Sequence, residues 1–180
     1  MVKRVAIFGT ESTGKSSLAA ALAAHFDEPC AAEYVREFWD RRGGEIAAWD
    51  LATIARGQIA NEETAVLAAR RVVFCDTDLL TNVLWADVLY DGKISDWVRE
   101  AAEARSRQYA MYLFCEPDLP WEQDPQRVFA DAEAWRQSAE RCRAVLMDRG
   151  LPCVSIRGTG DARLSQAIAV VEKVLNSNGS

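Results

Sequence analysis

Apolar residues cluster in five short runs, at 5–8, 30–32, 72–75, 111–115 and 153–156. None alternates with polar residues, the pattern of strands covered on both faces. Helix-favouring stretches separate them. The first extends to about His25, and a second over 33–42 is interrupted by Gly43-Gly44. A long one spans 49–71; its internal Gly57 marks a bend or a place near a substrate. Further helices are expected over 78–90 and 94–107, divided by Asp91-Gly92, and over 131–149 and 161–176. A loop holding Pro117, Pro120 and Pro125 follows the fourth run. Strand and helix in alternation predict a three-layer α/β/α fold on a five-stranded parallel sheet. With no internal linker or repeat, residues 1–176 are expected to form one domain, with 177–180 a flexible tail.

The first boundary between strand and helix carries chemistry. Val5-Ala6-Ile7-Phe8 is followed by Gly9-Thr10-Glu11-Ser12-Thr13-Gly14-Lys15-Ser16, which reads G-x-x-x-x-G-K-S, and then by an alanine- and leucine-rich helix. Strand, glycine loop and helix are the context a P-loop requires. Glycines let successive N–H groups converge on phosphate oxygens, and the helix N-terminus adds partial positive charge. Gly9, Glu11, Ser12, Thr13, Gly14, Lys15, Ser16 and Ser17 are therefore expected to hold ATP, with Lys15 on the β- and γ-phosphates and Ser16 on Mg²⁺.

In an open parallel sheet, ligands gather beyond the carboxyl ends of the strands. That rule selects Glu33, Tyr34 and Arg36 after strand two and Asp76 and Asp78 after strand three. Glu116 and Asp118 follow strand four, and Arg157 and Gly158 follow strand five. Asp76 ends its apolar run as a Walker B aspartate does, a place for the Mg²⁺ shell, while Asp78 is better suited to cap the next helix. Glu33 reads equally as a group that orients or deprotonates an acceptor hydroxyl and as a favourable first-turn acid. Arg127, in a proline-rich segment, suits a cover that brings positive charge to a transferring phosphoryl group; it also reads as a surface arginine paired with Asp124 or Asp131. Of six tryptophans, Trp39, Trp49, Trp97 and Trp135 are read as helix packing. Trp85 and Trp121 follow strands three and four, where they would either fill core or sandwich a flat ring, a cationic one most favourably.

Composition narrows the class. The formal net charge is −6 and basic clusters are short, so no footprint for nucleic acid or an anionic membrane is expected. No apolar run nears the ~20 residues of a membrane helix, and the first residues do not read as a signal peptide. Five cysteines, Cys30, Cys75, Cys115, Cys142 and Cys153, lack C-x-x-C spacing; they are expected to stay reduced in a cytoplasmic setting, four of them as small hydrophobes in strand runs. The one histidine, His25, has no partner for a triad or a metal site. A GTPase would carry N-K-x-D after a strand, and none is present; a AAA+ or ABC machine would need more chain. A short chain with one P-loop, a strand-two acid and an arginine-bearing cover fits a nucleoside or nucleotide kinase.

Several segments together carry a closer resemblance. G-T-E-S-T-G-K-S, Glu33-Tyr34-Val35-Arg36, Ile54-Ala55-Arg56-Gly57-Gln58, Asp76-Thr77-Asp78 and Pro120-Trp121-x-x-Asp124-x-x-Arg127, in this order, resemble the ribosylnicotinamide kinase domain of NadR-type proteins, a P-loop nucleoside kinase-like, AAA-like ATPase domain. The similarity runs from Val5 to about Val174. It implies transfer of the γ-phosphate of ATP to the 5′-hydroxyl of nicotinamide riboside, with Mg²⁺, giving nicotinamide mononucleotide in NAD salvage. Lys15, Glu33, Asp76 and Arg127 would be catalytic, and Ser16 and Asp76 would hold the metal. Glu33, Tyr34, Arg36, Asp78, Trp85 and Trp121 would meet the acceptor, and Arg157 and Gly158 the adenine. Two departures stand out: Tyr109-Ala110, where that family carries an acid after the aromatic, and Pro125, where it carries glycine. NadR-type proteins often add a helix-turn-helix and an adenylyltransferase domain; the P-loop at Gly9 and the single histidine lead to the expectation of a stand-alone kinase.

Overall fold

The computed structural model describes residues 1–119 and 131–177. Its five strands are β1 (Lys3–Phe8), β2 (Cys30–Ala31), β3 (Val72–Asp76), β4 (Tyr109–Cys115) and β5 (Cys153–Ile156). They form one sheet in the order β2-β3-β1-β4-β5, every described pair parallel. The helices are α1 (Lys15–Phe26), α2 (Tyr34–Arg41), α3 (Leu51–Ala68), α4 (Leu79–Leu89), α5 (Asp96–Ser106), α6 (Ala132–Met147) and α7 (Gly160–Asn176). A short 3₁₀ turn, Ala48–Asp50, leads into α3.

Strand alternation sorts the core into two layers. Val5 and Ile7 of β1, Leu113 and Cys115 of β4, and Val72 and Phe74 of β3 pack under α1 and α7, against Leu18, Leu22, Ala167 and Val171. Ala6, Phe8, Val73, Cys75, Tyr112 and Phe114 face the other way, onto α3, α4, α5 and α6. Each fully buried large apolar side chain contributes about 1.5–3 kcal/mol of transfer free energy, so both faces of the sheet are anchored. A third cluster, Phe38, Leu51, Ile54 and Ala86, joins α2, α3 and α4, and its Leu51 and Ile54 line the cleft described below.

The expected elements differ from the observed ones chiefly at their ends. The long helix starts after the 3₁₀ turn and stops at Ala68, because the buried Glu28 carboxylate accepts the N–H groups of Arg70 (2.9 Å) and Arg71 (3.1 Å), drawing the chain into β3. β4 begins two residues earlier than the apolar run, since Tyr109 is buried against Tyr112. The thiol of Cys153, expected inside, is exposed on the edge strand β5; the described cysteines are all unpaired. Trp49, read as packing, is 79% exposed. At the amino ends of the strands, Arg4 and Arg105 pair with Glu62 and Glu63 at 2.8–3.6 Å, tying α3 and α5 to β1 on the side away from the P-loop.

Candidate active site

The glycine loop after β1 is built by backbone conformations that few residues adopt. Gly9 has φ +143°, and a Cβ there would stand 2.9 Å from the Cys115 carbonyl oxygen; Gly14, at φ +75°, is the residue before α1. Ser12 sits at φ +58° without being glycine, and Thr77, just after Asp76, at φ +76°. A β-branched residue in the left-handed region is strained, and such strain concentrates where a site is held in one shape. The Thr77 N–H donates to the Ile7 carbonyl (3.1 Å) and its hydroxyl to Thr81 (2.6 Å), which retain it there.

Lys15 is nearly buried, and its Nζ donates to the Thr10 carbonyl at 2.7 Å; the Thr13 hydroxyl donates to the same oxygen at 2.9 Å. Ser16 is half-buried, while Ser12 and Ser17 are exposed at the loop and the start of α1. The loop is also tied from outside. On α6, the Trp135 indole N–H donates to the Glu11 carbonyl at 2.8 Å, and Ser138 meets the Thr10 hydroxyl at 2.8 Å. Sequence reasoning placed Trp135 among packing residues; it is buried, but it also holds the phosphate loop. The i, i+3 spacing of Trp135 and Ser138 puts both on one helix face, a signal visible in the sequence without anything to say what that face meets.

Asp76 ends β3 next to this loop, 4% exposed, and its Oδ1 has no hydrogen-bond partner among the described residues. Burial raises its carboxyl above the ordinary range; a hydrogen bond from Ser16 lowers it, nearby Glu33 raises it, and Lys15 and Arg36 lower it. An orphaned buried carboxylate oxygen beside a hydroxyl is a fit for a hard divalent cation. Among the described residues there is no cluster of three or more acidic, histidine or cysteine ligands, so such an ion would complete its shell with water and phosphate oxygens, as Mg²⁺ commonly does.

A cleft of about 570 Å³ adjoins the loop. It runs along α4 from Thr77 and Thr81 past Asn82 and Trp85 to Leu89 and Tyr90, with α2 opposite, and Glu11 and Glu33 line it too. Glu33 immediately precedes α2 and pairs with Arg36 at 2.9 Å; both line the cleft. Trp85 lines it as well, half-buried. Trp39, expected as helix packing, is 44% exposed and also lines it.

Two expected acceptor residues stand elsewhere. Asp78 is 1% exposed and absent from the cleft wall: its Oδ1 caps α4 through the N–H groups of Leu80 (3.0 Å) and Thr81 (3.4 Å), and its Oδ2 accepts the Tyr112 hydroxyl at 2.7 Å. With both oxygens engaged, Asp78 shapes the start of α4. The Tyr34 ring is likewise taken up by the fold. It lies on Gly57, where a Cβ would stand 2.2 Å from the ring, and its hydroxyl accepts from Arg41 at 3.1 Å. Gly57 is thus a place of close approach, to Tyr34. The backbone N–H of Tyr34 donates to the buried Gln58 side chain at 2.9 Å, so α2 is docked on α3 from both sides.

Past β5, the Gly158 N–H donates to Asp118 (2.6 Å), and Arg163 bridges Asp118 (3.1 Å) and the Gly158 carbonyl (2.8 Å). The Arg157 side chain is mostly exposed, 3.6 Å from Glu116. These contacts fold the end of β5 against the end of β4, and Leu119 reaches within van der Waals distance of a Cβ built on Gly14. Trp121 and Arg127 lie outside the described residues.

Known proteins share this fold. The chain is 26% identical over 183 residues to the trifunctional NAD biosynthesis/regulator protein NadR of Salmonella typhimurium, covering 99% of this chain and 44% of the relative. It is 26% identical over 179 residues to the Escherichia coli protein of the same name, covering 97% and 43%. The chain therefore spans less than half the length of these curated relatives. Among solved structures it is similar to the NadR protein in complex with NR (TM-score 0.77, 24% identity, 97% of this chain and 52% of that one) and to a deoxyadenosine kinase from M. mycoides (TM-score 0.66, 12% identity, 94% and 99%). These likenesses show a shared P-loop kinase fold. The AAA domain model (AAA_28) matches residues 4–163, and with its glycine loop, Asp76 and five-stranded parallel sheet in place, the chain belongs to that family of P-loop proteins.

Proposed function

We propose that this protein is an ATP-dependent kinase that phosphorylates the 5′-hydroxyl of nicotinamide riboside, giving nicotinamide mononucleotide. The observation that carries the reading is the cleft beside the P-loop: three aromatic residues, Trp39, Trp85 and Tyr90, share its wall with the acids Glu11, Glu33 and Asp40. The nicotinamide ring of the riboside is a flat cation. Aromatic faces and carboxylates attract it together, by cation–π and Coulombic terms of about 0.5–2 kcal/mol for each well-placed face. The NadR relatives, one of them solved with NR and one with NAD and AMP-PNP, support the same pair of substrates.

In this reading, the loop N–H groups and Lys15 hold the β- and γ-phosphates. Lys15 exchanges the Thr10 carbonyl for phosphate oxygen, a short movement of an already placed ammonium. Ser16 and Asp76 would hold Mg²⁺, which when bound neutralises charge across the phosphate oxygens. Glu33, fixed by Arg36, accepts a hydrogen bond from the 5′-hydroxyl and orients it for in-line attack. The proton leaves with phosphoryl transfer, to Glu33 or to the product. Arg127 would add positive charge to the transferring group, and Trp121 a second ring face.

The test is ADP release from ATP–Mg²⁺ with nicotinamide riboside, compared with uridine, cytidine, thymidine, adenosine and nicotinamide mononucleotide. Strong stimulation by the riboside, with the mononucleotide as product, is expected. Preference for another nucleoside would replace the acceptor and keep the phosphate chemistry. Stimulation by none would favour a P-loop switch that acts on a protein partner.

A further inference from the structure

Only Thr77 and Asp78 connect β3 to α4. This short link joins two parts of the site. Asp76 ends β3 beside Ser16 of the phosphate loop, and α4 supplies Thr81, Asn82, Trp85 and Leu89 to the cleft wall. Thr77 makes the turn at φ +76°, buried, and lines the cleft itself. Glycine adopts that conformation freely, whereas a β-branched residue is strained in it. Such strain persists where the surroundings over-determine it. Three ties do so here. The Thr77 N–H donates at 3.1 Å to Ile7 of β1, the strand that carries the phosphate loop. Its hydroxyl donates at 2.6 Å to Thr81 on α4. The next residue, Asp78, caps α4 and accepts from Tyr112 at 2.7 Å. A glycine would relieve the strain but lose the tie to Thr81, so the threonine side chain does something that the turn alone does not.

We propose that Thr77 is a positioning residue that sets the acceptor wall against the phosphate loop. Its backbone is pinned to β1 and its side chain to α4, so one strained residue fixes how the two halves of the site stand. The inference rests on the kinase reading above, for whichever nucleoside is the acceptor. In-line transfer needs the attacking oxygen within about 3–3.5 Å of the phosphorus, and a misplacement of about 1 Å can cost on the order of 10²-fold in rate. A looser link leaves each substrate bound in its own half of the site. It lowers the rate at which the two meet in reacting geometry, and so acts on turnover rather than on binding.

The experiment measures kcat, both KM values and thermal unfolding for Thr77→Gly, Thr77→Ser and Thr81→Val, with the nucleoside that most stimulates the unsubstituted protein. Thr77→Gly is expected to lower kcat roughly ten- to hundredfold, with KM for ATP and for the acceptor within about twofold of the parent. Its unfolding midpoint should hold or rise, since relief of strain offsets the lost hydrogen bond. Thr77→Ser keeps the hydroxyl and should retain most of the turnover. Thr81→Val removes the partner hydroxyl from the other side and should lower kcat in the same direction; it carries the test if the glycine variant does not fold. Near-parental kcat in folded Thr77→Gly or Thr81→Val overturns the assignment and leaves the kinase reading standing. Turnover that falls only in step with the unfolding midpoint, in Thr77→Ser as in the others, overturns it too, because Thr77 then acts through stability alone. If no nucleoside stimulates the unsubstituted protein, the kinase reading falls, and the assignment of Thr77 falls with it.

Discussion

The indole N–H of Trp135 donates to the main-chain carbonyl of Glu11 at 2.8 Å, across 124 residues of sequence. Helix α6 thereby fixes the Glu11–Ser12 peptide, next to Thr10, whose carbonyl in turn holds Lys15. Trp135→Phe keeps most of the buried ring and removes this one donor. Loss of a single buried hydrogen bond is worth about 1 kcal/mol. Nucleotide affinity, measured by calorimetry with ATP or a non-hydrolysable analogue, should fall about fivefold. Acceptor KM should stay in place. An equal loss on both substrates would mean that Trp135 acts only through the fold.

Lys15→Ala should lower turnover by roughly 10²–10³ or more, the scale for losing a preorganised electrostatic donor. A variant with near-native turnover would remove Lys15 from the phosphate chemistry.

Asp76→Asn should raise the Mg²⁺ concentration needed for half-maximal activity by about tenfold or more, since a neutral amide is a weaker ligand for a hard cation than a carboxylate. The sign of the pH effect follows from burial. With the Asp76 carboxyl raised above its ordinary range, a proton competes with the metal as pH falls, so the Mg²⁺ requirement of the unsubstituted protein should rise towards acid pH. The Asp76→Asn variant should lose that slope. Its persistence would assign it to another group.

Complete burial pushes the Asp78 carboxyl up to about 7, with Tyr112 and the α4 N–H groups drawing it down and Glu62 raising it. A carboxyl raised on folding favours the folded state fully below its unfolded value, near 3.8, and loses that contribution as pH rises through about 7. Stability should therefore decline over this window. Asp78→Asn retains one acceptor oxygen for the cap and turns an N–H donor towards the Tyr112 hydroxyl, which still has the Ser106 carbonyl to donate to at 3.3 Å, so urea unfolding at several pH values should show a flatter profile. The difference between variant and parent should grow by up to a few kcal/mol from pH 4 to pH 8.

Gly57→Ala would place a methyl group 2.2 Å from the Tyr34 ring. The ring and α2 must then shift, at a cost of about 1–3 kcal/mol in stability for overpacking. Because α2 carries Arg36 and follows Glu33, acceptor KM should rise as well. Adding Tyr34→Leu should restore part of both, and strict additivity of the two changes would show that the ring contact is not the cause.

The sequence by itself determined the sheet, because five short, largely apolar runs separated by helical stretches are buried on both faces in a parallel sheet covered by helices. It also determined the phosphate loop, whose glycines, lysine and serine are contiguous and whose function depends on local backbone geometry. Residues that meet across many positions were decided by tertiary structure. Asp78 and Asp76 are two residues apart and alike in chemistry; only the packing of Tyr112 against one, and the orphaned oxygen on the other, separates a helix cap from a carboxylate open to a further partner. Tyr34 sits beside Glu33 in the chain, yet its ring lies on Gly57, where no side chain stands, and not in the wall of the cleft. Local patterns report which elements form; enclosure, which sets the cost of an unpaired polar group, arises only when those elements pack together.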